Sequence, residues 1–214
     1  MKKTILILSL LLTFCSLCAV ASANSSRPTD SARIAPAGYQ AAVHPKLAVL
    51  SYINTSEEKT GYVADAVNSG YTNYFQKLDY TILPSKDAQD ALAKTGYSTE
   101  NEALPDKDQL AAVARATGAD FVIAMEISEL HASRHISVFQ EKVTAKCKLN
   151  YAIYSVQTDK VYSFKATGND DNKTVFGGVG YKTPIVKSLN AAMDKANSNI
   201  REFLAGNAKQ GSRK

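Results

Sequence analysis

The chain has 214 residues, 45% hydrophobic and 21% charged, with 25 lysines and arginines against 20 acids and a net charge of +5. Eleven glycines, six prolines and three cysteines exclude a collagen, a low-complexity tail, a disulfide-dense toxin and a polytopic membrane protein. At this length one domain with flexible ends is expected.

Residues 1–23 read as a secretory signal: Lys2 and Lys3 lead an apolar stretch from Ile5 to Val20, and Ala21-Ser22-Ala23 is an A-x-A cleavage site. Cys15 and Cys18 raise the rival of a lipid anchor, but Phe14 and Leu17 precede them where a lipoprotein peptidase needs a small residue. The expected product is therefore periplasmic or otherwise exported, begins at Asn24 and carries no lipid. No later stretch approaches the apolar length of a spanning helix. Cleavage removes Lys2 and Lys3, leaving a mild positive excess that does not point to nucleic acid. It also leaves Cys147 alone, so no internal disulfide can form.

Residues 24–45, rich in Ser, Ala and Pro, read as a flexible segment, 46–204 as one domain, and 205–214 as a disordered tail. Within the domain, the apolar run Leu47 to Leu50 suits a strand over 46–52 buried on both faces. Val63, Val67, Tyr71, Tyr74, Phe75 and Leu78 keep helical period over 62–78. A short strand at 80–83 precedes a helix capped by Ser85, and a further helix runs from Asp106 or Asp108 to Gly118.

Phe121 to Ile127 is a second buried strand with a polar continuation to Ser133. The next strand alternates cleanly: Val143, Ala145, Cys147, Leu149, Tyr151 and Ile153 share one face, and Thr144, Lys146, Lys148 and Asn150 the other. A turn at 157–160 leads to a return strand over 161–167, and a long helix follows Pro184. The order β-α-β-α-α-β-β-β-α predicts an α/β fold with a mixed sheet, parallel where helices connect strands and antiparallel where turns do.

Catalytic signals are weak. His131 and His135 sit where extended chain would hold them about 13 Å apart, too far for one metal ion. Cys147 falls on the apolar face of its strand, where a thiol behaves as a small hydrophobe. There is no G-x-S-x-G elbow. The run Gly177 to Thr183 departs from a phosphate loop because Tyr181 separates Gly180 from Lys182. As an alternative it could hold an anion or small molecule through Gly178, Gly180, Lys182 and Thr183 at a helix start. No catalytic residue, metal or cofactor is expected, and a hydrolase of unknown type is the remaining alternative.

Leu47 to Asn54 resembles the "AVLPFxN" opening of the TolB N-terminal domain and CsgG-like curli-assembly superfamily, with Ser51 and Tyr52 in place of Pro and Phe. Ala112 to Ile123 is similar to its "LAxxxGADYVV" segment, and Gln157 to Val161 to its "xTGxV" turn. The chain has no β-propeller and is not TolB itself. The resemblance implies a three-layer α/β/α domain with a mixed five-stranded sheet of order 2-1-3-4-5, strand 4 antiparallel. It further implies a non-enzymatic module that binds an envelope protein, with a homo-oligomer as an admissible assembly. The long hairpin 128–156, with Arg134, Phe139 and Lys142 near its tip, is the expected contact surface.

Overall fold

The computed structural model describes residues 44–98, 103–175, 178 and 180–211, with side chains to 207. The expected signal, nearly all of the 24–45 segment, and Gly177 and Val179 of the glycine-rich turn lie outside the described residues.

The core is a six-stranded mixed sheet. Strand β1 (Lys46–Val49) lies between β3 (Thr81–Ile82) and β4 (Phe121–Ile136), parallel to both. Strands β5 (Glu141–Ser155) and β6 (Lys160–Thr174) continue the sheet antiparallel, giving the order β3-β1-β4-β5-β6. The sixth strand corrects the expected count of five. The run expected as one strand over 46–52 leaves the ladder after Val49 and resumes as β2 (Ile53–Asn54), which pairs with β4 at Glu126 and Ile127.

Two buried clusters form because alternate residues of a strand point to opposite faces. Phe121, Ile123, Met125 and Ile127 of β4, with Cys147, Leu149, Tyr151 and Ile153 of β5, share one cluster with α1 (Gly61–Val67), the segment after it, and α5 (Lys182–Gly211). Val122, Ala124, Ala152 and Tyr154 form the other with α3 (Ser85–Ala93) and α4 (Lys107–Thr117). The alternation read in β5 is the alternation observed. Burial pushes the Cys147 thiol up to about 12, with Glu129 adding to the rise, so it stays protonated and unreactive at neutral pH.

Helix α4 starts as its sequence announces. Asp106 accepts from the Gln109 amide at 2.8 Å, the Gln109 side chain accepts from the Asp106 amide at 2.9 Å, and Gly118 ends the helix at φ 68°. The single helix expected over 62–78 is different. It passes through a π-helical segment, Asn68–Thr72, before α2 (Asn73–Phe75). Gly70 explains the close seat on α5: a Cβ there would lie 2.5 Å from Met193 Cε. The Gly70 carbonyl accepts from Asn197 Nδ2 at 3.2 Å.

The last helix starts at Lys182, two residues before Pro184, whose missing N–H falls in the first turn where amides lack helical partners anyway. It runs to Gly211, into the 205–214 segment expected as a tail. The strands expected to end near Ser133 and Thr167 continue to Ile136 and Thr174.

Candidate functional site

Strands β4, β5 and β6 pair along their whole length and form a three-stranded arm. A bulge at Ser128 shifts the register, so Ile127 faces Leu149 while Glu129 faces Lys148. Beyond it Leu130 and Ala132 turn to the α5 side, and Glu129, His131, Ser133 and His135 turn to the other. On that second side α3 and α4 cover Val122, Ala124, Ala152 and Tyr154. Further along the arm, no described helix buries that face.

The bare face is built in rungs. His131 lies across from Lys146 and Asn169, Ser133 from Thr144 and Asp171, and His135 from Lys142 and Lys173. Glu126 accepts from Asn150 Nδ2 at 3.0 Å and from the Thr55 hydroxyl at 3.0 Å. Asp171 pairs with Lys142 at 3.0 Å and Lys173 at 3.7 Å, and these ammonium groups hold its carboxyl below the usual carboxylate range. Glu129 lies 3.5 Å from His131 Nδ1. Lys146, Lys148 and Lys165 share this face and have no ion-pair partner among the described residues.

The tip is apolar. Ser137 to Gln140 closes the hairpin, with the Ser137 amide donating to the Gln140 carbonyl at 2.8 Å. Around it Ile136 is 69%, Val138 89% and Phe139 82% exposed. Of the three residues expected at the contact surface, Phe139 stands at this tip. Arg134 and Lys142 lie just below it in cross-strand ion pairs, Arg134 with Glu141 at 3.0 Å. The Arg134 guanidinium also sits 4.7 Å from the centre of the Tyr181 ring. Sequence reasoning passed over Ile136 and Val138, although Ile136-Ser137-Val138-Phe139 is an apolar run at a turn. It also passed over the charges of Lys146 and Lys148, which it had read only as outward-facing, and of Lys165, which it did not single out.

The glycine-rich turn leads into the same end of the arm. Gly178 and Gly180 have open space around them, and Thr183 is exposed in the first turn of α5. The Lys182 ammonium lies 5.7 Å from the Tyr62 ring centre. His131 and His135 both lie on β4, in extended chain. Among the described residues no three metal-ligating side chains converge, and no hydroxyl or thiol bonds to a histidine. A cavity of about 420 Å³ between Thr55–Glu57 and Ser128–His131 holds Glu57, Glu129 and His131. No described helix is long and apolar enough to cross a membrane.

No protein-family model and no curated protein matches the chain. Solved structures do. The LpoB C-terminal domain from Salmonella enterica is similar over 58% of this chain and 82% of its own, at 18% identity and a TM-score of 0.38. A lipoprotein from Neisseria meningitidis is similar over 76% of this chain and 99% of its own, at 12% identity and a TM-score of 0.44. The PelC dodecamer from Paraburkholderia phytofirmans is similar over 71% of this chain and 88% of its own, at 14% identity and a TM-score of 0.37.

Proposed function

We propose that this chain is an exported, non-enzymatic module that docks an acidic partner protein of the bacterial envelope on the bare face and tip of its arm. Export rests on the signal-like residues 1–23, with cleavage after Ala23 and no lipid at Cys15 or Cys18. The envelope setting rests on the motif resemblance to the TolB N-terminal and CsgG-like superfamily, as does the three-layer arrangement.

The observation that carries the docking surface is the pairing pattern on the bare face. Lys142 and Lys173 share Asp171, whereas Lys146, Lys148 and Lys165 form no ion pair with any described residue. Like charges two residues apart on a strand, about 7 Å, repel one another unless anions come between them. An acidic partner supplies those anions, and Val138 and Phe139 supply an apolar anchor further along the same arm, at its tip. The anion-binding alternative at Gly178, Gly180, Lys182 and Thr183 has less support, because Lys182 is already held over Tyr62.

The test is charge reversal. The triple variant Lys146→Glu, Lys148→Glu, Lys165→Glu leaves the core untouched and is expected to keep the thermal midpoint within about 3 °C. It is expected to lose the envelope proteins that co-purify with the wild-type chain, and raised salt is expected to weaken the wild-type complex. Unchanged co-purification by a folded triple variant contradicts the reading.

A further inference from the structure

A second site lies at the carboxyl ends of the parallel strands β1 and β3, the end of the sheet from which β4 runs on into the arm. Chain leaving β1 passes through β2 to α1 on one face of the sheet, while chain leaving β3 enters α3 on the other. Adjacent parallel strands whose exits diverge leave a crevice between their carboxyl ends, where open α/β sheets bind ligands. Here the crevice measures about 500 Å³, within the range of small-molecule sites. Leu50 and Ile82 contribute apolar lining from the strand ends.

Its polar lining carries no charged side chain. Asn68, Thr72 and Gln76 form a stripe at four-residue spacing along the π-helical segment and α2, and Ser51, Tyr52 and Ser85 complete the rim. The π turn sets this stripe. It buries Tyr71, whose hydroxyl donates to the Leu50 carbonyl at 3.2 Å, and so leaves Asn68 and Thr72 exposed beside the strand ends. The side chains of Ser51, Asn68, Thr72, Gln76 and Ser85 make no hydrogen bond to other described residues. Two other cavities among the described residues hold Glu57, Glu129 and His131, or Asp87, Asp90 and Lys94.

We infer that this crevice binds an uncharged carbohydrate, a neutral hexose or N-acetylhexosamine unit. A charged ligand would bury its charge against a wall with none to offer. Two carboxamides and three hydroxyls each both donate and accept, which matches a ring of vicinal hydroxyls or an acetamide. The half-buried Tyr52 ring and the apolar strand ends suit the C–H face of a pyranose. This inference is independent of the docking surface.

Titration of the ¹⁵N-labelled protein with maltose and with N,N′-diacetylchitobiose tests it. At least one sugar is expected to shift the Ser51, Tyr52, Asn68 and Thr72 amide signals saturably at millimolar concentration. Asn68→Ala and Gln76→Ala, at exposed positions that leave folding intact, are each expected to weaken binding by about tenfold. The triple arm variant is expected to bind the sugar normally. The inference is overturned if neither sugar shifts these signals, or if both alanine variants bind like wild type. It is also overturned if inorganic phosphate or the blocked dipeptide acetyl-Ala-Ala-amide produces the same shifts while the sugars do not.

Discussion

Replacing Gly168 with alanine is expected to destabilise the protein by about 3 kcal/mol or more, and replacing it with valine to prevent folding. Gly168 lies on β6 across from Cys147, where α5 crosses the strand. A Cβ there would overlap the Ser188 carbonyl oxygen and approach the Ala192 amide nitrogen to 2.7 Å. Both atoms are helix backbone, so no rotamer change relieves the overlap; the helix itself must lift from the sheet. Lys195 Nζ, donating to the Thr167 carbonyl at 2.8 Å, shows how closely strand and helix are joined at this point. For a domain of this size the alanine variant should melt roughly 6–12 °C lower. Gly70→Ala makes the contrast. Its Cβ would meet the Met193 side chain, which is flexible and can move, so about 1 kcal/mol is expected. Equal melting points for the two variants would mean that the strand and helix are not seated as described.

Tyr71→Ala should cost about 3–5 kcal/mol, the second large effect. The ring is fully buried, edge-on to Phe75 at 5.4 Å and to Tyr151 at 6.1 Å between centres. Burial drives its phenol far above the ordinary value, so the hydroxyl remains a donor at any physiological pH. It reaches the carbonyls of Leu50 and Ile123, at 3.2 and 3.4 Å, where β1 leaves the sheet. Tyr71→Phe keeps the ring and loses that bond, for about 1 kcal/mol. Tyr151→Phe should behave oppositely, being neutral or slightly stabilising, because its buried hydroxyl meets no partner among the described residues. Denaturant melts of the three variants check the order.

How much of this was readable depended on whether a residue's own type carried the information. Strand β5 was plain because its apolar and polar residues alternate without a break from Val143 to Tyr151. Helix α4 was plain because Asp106, Gln109 and Gly118 mark both ends. The bulge left a mark that was not used: the buried positions change parity between Ile127 and Leu130. The outer halves of β4 and β6 were cut short because polar strands carry little periodic signal, and their pairing depends on a partner strand. The π turn hides inside an ordinary helical period, and the groups it packs against at Gly70, those of Met193 and Asn197, lie more than a hundred residues away. Lys146 and Lys148 were read as outward-facing. Their lack of ion-pair partners among the described residues depends on β6 and on where α4 stops, which no local pattern states.

The central claim is that the arm's bare face receives a partner, and site-specific photo-crosslinking in intact cells tests it most directly. A photoreactive residue at Lys146 or Phe139 should yield one shared protein adduct, and the same residue at Lys86 on α3 should yield none. The adduct from Phe139 should disappear when Lys146, Lys148 and Lys165 are changed to glutamate. An adduct formed equally from Lys86, or one from Phe139 that survives the charge reversal, would contradict the account.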